Sequence, residues 1–373
     1  MRRRFAVFIS IVQSILCLAH WIIYATWVDF WLERGSHPSS WIVWAFLLLS
    51  LSFVSASVLG FRFSGPIVRI VYTLAAVWLG FVDFLVLGAG ACWLIWGVTL
   101  LAGGTIHPQA LAAVCFGAGM AAGVYGLMNA AATRVKRVSL RLPNLPEQWR
   151  GRTAALVSDL HLGHVRAAGF ARRIARLINS QKPDIIFIVG DVFDGTAGDA
   201  AKFVAPLKAL AAPFGSYFVT GNHEEFGDAS RFIRAIQSTG IRVLENERVF
   251  ADGLQIFGVS YRTSVYPPAY ETALAEAHID RSVASIALVH APDNLPATQK
   301  AGISLQISGH THRGQMFPFT WFAKRLYKQF VYGLHELQDM FVLTSCGAGT
   351  WGPPMRVGTN PEIVLIEFGP AAR

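Results

Sequence analysis

The chain predicts two unlike parts, an α-helical transmembrane region followed by an α/β domain with two packed sheets or one large mixed sheet. Three observations lead there. Apolar residues crowd the first third of the 373 residues. The remainder alternates short apolar runs with amphipathic stretches. Several of those short runs lead directly into clusters of Asp, His and Asn.

With 53% hydrophobic and only 15% charged residues, the chain is too apolar for an ordinary soluble protein. Residues 1–133 hold Arg2, Arg3, Arg4, Arg34, Arg62 and Arg69 against Asp29, Glu33 and Asp83. Four apolar runs stand out there: about Phe5–Phe30, Trp41–Phe61, Ile67 to Gly97 or beyond, and Gln109–Thr133. A span needs about 20 apolar residues, and each run is long enough. The third is read as one long or tilted helix. None has the polar face of a soluble bundle helix.

The opening Arg2-Arg3-Arg4-Phe5 is similar to a twin-arginine export signal. A basic flank is the favoured reading, because no small-residue cleavage site follows the first run. Basic ends at Arg2–Arg4, Arg62–Arg69 and Arg134–Arg141 contrast with nearly neutral stretches at 31–40 and 103–108. That pattern predicts an integral membrane protein with both termini cytoplasmic. Asp83 lies inside the third run, where a carboxylate costs ~2.5 kcal/mol or more unless paired or wetted. A functional role and an interhelical hydrogen bond, for instance to Tyr72, are equal readings.

The net charge of +9 invites a nucleic-acid reading, and its distribution opposes it. The apolar third carries +3, and the segment 134–152 carries +5 through Arg134, Lys136, Arg137, Arg141, Arg150 and Arg152 against Glu147. Residues 153–373 retain only +1. A nucleic-acid binder would carry its basic stripe on the working domain. The expected organisation is a four-helix region 1–133, a basic juxtamembrane linker 134–152 and a polar α/β domain 153–373. Cys17, Cys92, Cys115 and Cys346 form no disulfide framework, which suits a reducing compartment.

In the polar part, buried strands are predicted at Thr153–Ser158, Asp184–Val189, Ser216–Thr220, Ser285–Val289 and Ile303–Ser308. Amphipathic helices fall at about Ala167–Gln181, Asp199–Ala211 and Asp228–Thr239. Further strands are expected at Ile241–Leu244, Leu254–Gly258, Phe341–Thr344 and Glu362–Phe368. The five buried strands run into Asp159-Leu160-His161, Gly190-Asp191 with Asp194, Gly221-Asn222-His223-Glu224, His290, and Gly309-His310-Thr311-His312. Loops at the carboxyl ends of strands are where α/β sheets build their sites. The glycines fit tight turns leaving each strand.

Singly, each cluster is a weak signal, and a lone His290 would most often be a satisfied core histidine. Together and in order they predict a metal site. His20, His37, His107, His164, His278 and His335 join no cluster and are read as structural. Mixed carboxylate, imidazole and amide donors suit Mn2+ foremost, then Fe, Zn or Ni, rather than Ca or Mg. Seven donors are too many for one ion with open positions. They divide into two sites sharing a carboxylate, the arrangement that stabilises both attacking and leaving oxygens of an in-line phosphoryl displacement. His223 remains as a proton donor or a stabiliser of the equatorial oxygens.

These motifs over residues 153–368 resemble the calcineurin-like metallophosphoesterases. The resemblance implies a two-sheet β-sandwich flanked by helices. It also implies a first metal held by Asp159, His161, Asp191 and His312, and a second held by Asp191, Asn222, His290 and His310, with Asp191 bridging. His223 would be the catalytic histidine outside the ligand set, and Asp194 would orient it. The stretches at 288–296, 310–315 and 347–363 are similar to membrane-anchored YkuE/YaeI-type phosphodiesterases, some of which are implicated in cleaving UDP-2,3-diacylglucosamine. Arg313 stands where such relatives carry Gly, and Gly258-Val259-Ser260-Tyr261 lacks their acidic residue. Arg313 reads equally as a phosphate clamp or as a solvent-facing side chain.

After His312, Phe317, Phe319, Trp321, Phe322, Leu326, Tyr327 and Phe330 interleave with Lys324, Arg325 and Lys328. Two readings are open: a loop packing its rings onto the domain, or a lip lying in a membrane interface. The expected function is hydrolysis of phosphodiester or pyrophosphate bonds at the cytoplasmic face, with a lipid-linked substrate preferred and no nucleic acid. The competitors are a tethered phosphodiesterase of soluble small nucleotides and a non-catalytic membrane sensor or scaffold.

Overall fold

The computed structural model describes residues 2–32, 38–226 and 228–369. His37, the loop charges Glu33 and Arg34, residues 370–373 and the side chains of Arg2–Arg4 lie outside the described residues. The chain divides into two compact units, Met1–Met128 with Gly352–Val357, and Asn129–Trp351 with Gly358–Arg373.

The first unit contains α1 (Arg2–Trp31), α2 (Ser40–Arg62), α3 (Pro66–Leu101) and α4, which runs from Pro108 to Ala131. All four are long and apolar enough to cross a membrane. The third apolar run is a single unbroken helix of 36 residues. At 1.5 Å per residue it extends about 54 Å, more than an upright span needs. A Cβ on Gly88 would lie 2.8 Å from Cys115 O, and one on Gly119 would lie 2.7 Å from Phe84 O, so α3 and α4 meet backbone to backbone. Asp83 Oδ2 is buried and has no hydrogen-bond partner among the described residues, so an interhelical bond at that oxygen is absent. Met355 and Arg356 are fully buried, and Arg356 N–H donates to Gly126 O at 2.9 Å. Their stretch, expected in the C-terminal domain, belongs with the helices.

The second unit carries β1 (Arg134–Leu140), β2 (Thr153–Val157), α5 (Ala168–Ser180), β3 (Ile185–Val189), α6 (Ala200–Val204), β4 (Ser216–Val219), α7 (Ser230–Gln237), β5 (Arg242–Val243), β6 (Glu247–Ala251) and β7 (Leu254–Gly258). There follow α8 (Tyr261–Ser264), α9 (Pro267–Glu276), β8 (Ser285–Leu288), α10 (Leu295–Ala301), β9 (Leu305–Ser308), α11 (Phe319–Tyr327), β10 (Gly333–Leu337), β11 (Met340–Thr344) and β12 (Glu362–Phe368). The strands form two six-stranded sheets, in the orders β1-β12-β2-β3-β4-β5 and β10-β11-β9-β8-β7-β6.

Strand alternation explains the layers. On β3, Ile185, Phe187 and Val189 join Ile256, Ile286, Leu288 and Ile307 of the other sheet in one core. Ile186 and Ile188 point the opposite way, onto Ile174 and Ile178 of α5 and Phe232 and Ile236 of α7. Behind the second sheet, Tyr270 and Leu274 of α9 pack on Phe257, Ala287 and Val342. The architecture is a two-sheet sandwich flanked by helices.

Two expectations need correction. The segment read as a linker opens with β1, which pairs in parallel with β12 from Arg134↔Glu362 to Leu140↔Phe368. Its partner lies over 200 residues away, so local pattern did not reveal it. The helix expected over Asp199–Ala211 is α6 followed by a 3₁₀ turn at Ala205–Ala209, with Pro206 in that turn, where a helix interior would lose an N–H bond.

Phe187 is fully buried between the sheets. Phe187→Ala should cost about 3–5 kcal/mol of domain stability, measured by urea unfolding of the detergent-solubilised protein. A loss within error of zero would contradict the sandwich core.

Candidate metal centre

The residues of interest sit where β2, β3, β4, β8 and β9 end. β2, β3 and β4 are parallel neighbours in one sheet, and β8 and β9 in the other. The chain bends sharply after several of these strands. Asp159, His161, Asp191, His310 and His312 have φ between +47° and +67°. Such left-handed backbone costs a non-glycine residue roughly 1–3 kcal/mol, which the surrounding hydrogen bonds must offset. The glycines before Asn222 and His310 answer a different need from tight turning. A Cβ on Gly221 would fall 2.2 Å from Asp191 Oδ1, and one on Gly309 would fall 2.5 Å from Asp159 Oδ2. They are spaces left for the neighbouring carboxylates.

The expected donors converge. Asp159, His161 and His312 form one close group, His161, Asp191 and His223 a second, and Asp191, His290 and His310 a third. His161 Nε2 faces His312 Nε2 at 2.9 Å, and His312 Nε2 is 3.5 Å from Asp159 Oδ1. On the other side, His290 Nε2 lies 3.2 Å from Asp191 Oδ2, 3.2 Å from Asn222 Oδ1 and 3.3 Å from His310 Nδ1. At most one proton fits between two facing imidazole nitrogens, whereas a cation satisfies both, so this donor set fits divalent metal ions.

Asp191 joins the groups. Its Oδ1 accepts the His223 backbone N–H at 2.9 Å, while Oδ2 lies 3.2 Å from His290 Nε2 and 3.9 Å from His161 Nε2. Burial alone would raise this carboxyl, but the imidazoles of His290, His223 and His161 hold it well below the usual carboxylate range. Burial opposes charge on His290 too, and Asp191 and Asp159 nevertheless raise it. The pocket is therefore built to keep positive charge beside Asp191. Asp159 is fully buried and accepts the His310 backbone N–H at 3.1 Å.

Asp194 acts differently from the expectation. The contact to His223 Nδ1, at 2.9 Å, is made by the Asp194 main-chain carbonyl. Its carboxylate instead accepts the Thr196 N–H at 2.8 Å and the Thr196 hydroxyl at 2.6 Å, pinning the loop.

Glu224 closed one of the sequence clusters but was assigned no role there. It is fully buried and accepts backbone N–H bonds from Asp191 (2.9 Å) and Gly221 (2.7 Å) on Oε2, and from Phe193 (2.9 Å) on Oε1. One carboxylate thus ties together the turns that carry Asp191 and Asn222. Its position directly after Gly221-Asn222-His223 was the available signal.

Arg313 is exposed and stacks 4.8 Å over Tyr332, at φ +51° where glycine would be relaxed. The rim is aromatic. Phe226 and Trp351, 61% and 58% exposed, flank the His223 ring at 4.5 and 6.0 Å. Tyr261 and Tyr327 flank His310 at 6.1 and 6.3 Å.

Residues 153–314 match the family of calcineurin-like phosphoesterases. Among curated relatives, the chain is 31% identical to an uncharacterized metallophosphoesterase of Campylobacter jejuni, over 66% of this chain and 66% of that protein. It is 34% identical to a transmembrane protein with metallophosphoesterase domain from Danio rerio, over 65% of this chain and 59% of that one. It is 28% identical to the uncharacterized metallophosphoesterase YkuE of Bacillus subtilis, over 60% and 80%. The chain spans no more than about two thirds of the first two relatives.

Two substitutions separate the roles near His223. Glu224→Gln turns an amide NH2 toward backbone donors and should lower metal-dependent turnover about 10–100-fold. Asp194→Asn keeps the carbonyl and should cost less than Glu224→Gln. Turnover of bis-p-nitrophenyl phosphate against Mn2+ concentration measures both. An Asp194→Asn loss exceeding that of Glu224→Gln would show that its carboxylate, not its carbonyl, sets His223.

Proposed function

The carboxy-terminal domain of this chain belongs to the calcineurin-like phosphoesterase family, and on that premise we propose that the protein is a membrane-anchored, metal-dependent hydrolase of phosphodiester or pyrophosphate bonds. The observation that carries this reading is the convergence of three His-carboxylate groups, two of which share Asp191 and two of which share His161. Asp159, His161, Asp191 and His312 would hold one divalent ion, and Asp191, Asn222, His290 and His310 a second. Mn2+ is the preferred ion, with Fe, Zn or Ni as alternatives. When bound, such ions supply Lewis-acid charge stabilisation to a phosphoryl group in transfer.

The protein's own groups then do the rest. His223 Nδ1–H donates to the Asp194 carbonyl, which leaves Nε2 to hold the proton delivered to the leaving oxygen. The Glu224 cradle keeps the Asp191 and Asn222 turns from drifting, so the donors are preorganised. The preferred substrate is lipid-linked, with a UDP-2,3-diacylglucosamine-like molecule as one form. Its support is the presence of four membrane-length helices in the same chain and the apolar rim around the site. The basic flanks Arg62–Arg69 and Arg134–Arg141 favour a cytoplasmic catalytic domain in a bacterial inner membrane. A second reading, hydrolysis of small soluble nucleotides, draws on Phe226 and Trp351, whose exposed rings beside His223 offer flat stacking surfaces.

Purified protein in detergent with added Mn2+ should hydrolyse bis-p-nitrophenyl phosphate faster than p-nitrophenyl phosphate. Asp191→Asn, which weakens both groups, should lower the rate roughly 1,000-fold, the scale of several kcal/mol of lost charge stabilisation. Unchanged activity in that variant would sink the proposal. A substrate panel holding UDP-diacylglucosamine and cyclic or dinucleotide diesters decides between the two readings. For orientation, a reporter fused at the C-terminus should read cytoplasmic, and a periplasmic signal would reverse it.

A further inference from the structure

Helix α11 begins five residues after the Gly314 turn and presents its faces the wrong way round for a soluble domain. None of its residues is buried. The half-buried positions, Thr320, Ala323 and Tyr327, recur at helical spacing and are small or polar-tipped. The outward positions carry Trp321, Phe322 and Leu326, exposed by 64%, 56% and 72%. Phe317 and Phe319 add two more exposed rings at its start. Lys324, Arg325 and Lys328 stand exposed beside them. A helix anchored by its small face, with large apolar groups and cations turned outward, has the composition of an interfacial segment.

The same helix is part of the wall of the site. A Cβ on Gly314 would collide with Phe319 O and Thr320 Cα, so glycine there lets α11 press against the turn that carries His312. At its other end Tyr327 meets His310 edge to face at 6.3 Å. Both ends of α11 therefore touch segments that bear donor histidines.

We propose that α11 is an interfacial helix that seats its Trp321-Phe322-Leu326 face among the acyl chains of an anionic phospholipid surface, with Lys324, Arg325 and Lys328 on the lipid phosphates. Charge complementarity selects that occupant, because three cations and no acid lie between Phe317 and Lys328. A protein partner would replace the lipid only if the face stayed in water beside a bilayer. Seating α11 places the mouth of the site at headgroup depth, so a lipid phosphoester reaches the donors without leaving the surface. This consequence rests on the phosphoesterase reading, whereas the seating itself does not.

The test uses the full chain in lipid nanodiscs, labelled with an environment-sensitive dye at Leu326→Cys. The four natural cysteines are buried or half-buried. In discs of phosphatidylglycerol with phosphatidylethanolamine the dye should emit blue-shifted and be quenched by spin-labelled lipid tails. The added variant Lys324→Glu/Arg325→Glu/Lys328→Glu should abolish both signals. Water-like emission in the parent label, or no change on charge reversal, overturns the proposal. In parallel, Trp321→Ser/Phe322→Ser/Leu326→Ser should lower kcat/KM on a phosphodiester lipid embedded in the disc at least 10-fold. The same variant should leave turnover of soluble bis-p-nitrophenyl phosphate unchanged, which also reports that the domain is folded. Equal loss on both substrates counts against an interfacial role. Absence of any turnover by the wild type would instead fail the phosphoesterase reading, and the dye measurement would still decide the helix.

Discussion

The site depends on one buried carboxylate kept charged. Asp191 is buried among imidazoles, where an unpaired carboxylate would be expensive. Its two oxygens divide the work. Oδ1 is fixed by the His223 backbone, and Oδ2 faces His290 and His161 from opposite groups. Every other feature of the centre either positions this carboxylate or answers its charge. Its own left-handed turn, the missing side chain at Gly221 and the Glu224 carboxylate that accepts its amide hold it in place, while the missing side chain at Gly309 makes the same room for Asp159.

The sandwich makes that convergence possible. Donors arrive from both sheets, and each sheet delivers its own through parallel neighbours that end at the same level. The apolar layer between the sheets, with Phe187, Ile256 and Leu288 at its middle, sets their separation. Packing at interior density leaves little slack, so the core fixes where the strands end relative to one another. That precision is what permits strained, polar turns at the edge: the core offsets the cost.

Exposure is distributed in a way that links the two units by chemistry. The helices of the first unit are apolar outward, as a bilayer demands. On the second unit, large apolar groups are exposed chiefly at the rim of the centre, at Phe226, Trp351 and along α11.

Much of this was legible in the chain alone because its determinants are local. Apolar runs of membrane length, strands ending in Asp, His or Asn, and amphipathic helices such as α5 are all written within about twenty residues. The motifs brought the candidate donors into view because metal-binding chemistry restricts residue type. What the tertiary structure decided is what depends on partners distant in sequence. The parallel pairing of Arg134–Leu140 with Glu362–Phe368 turned an apparent linker into a strand, and Gly352–Val357 left its neighbours to pack with the helices. Glu224 and the Asp194 carbonyl acquired their places only when separate turns met, since hydrogen bonds to main-chain atoms carry no side-chain signature. The outward face of α11 follows the same rule. Composition showed rings and cations interleaved there, but which of them the domain covers is settled by the few small contacts at Gly314 and Tyr327.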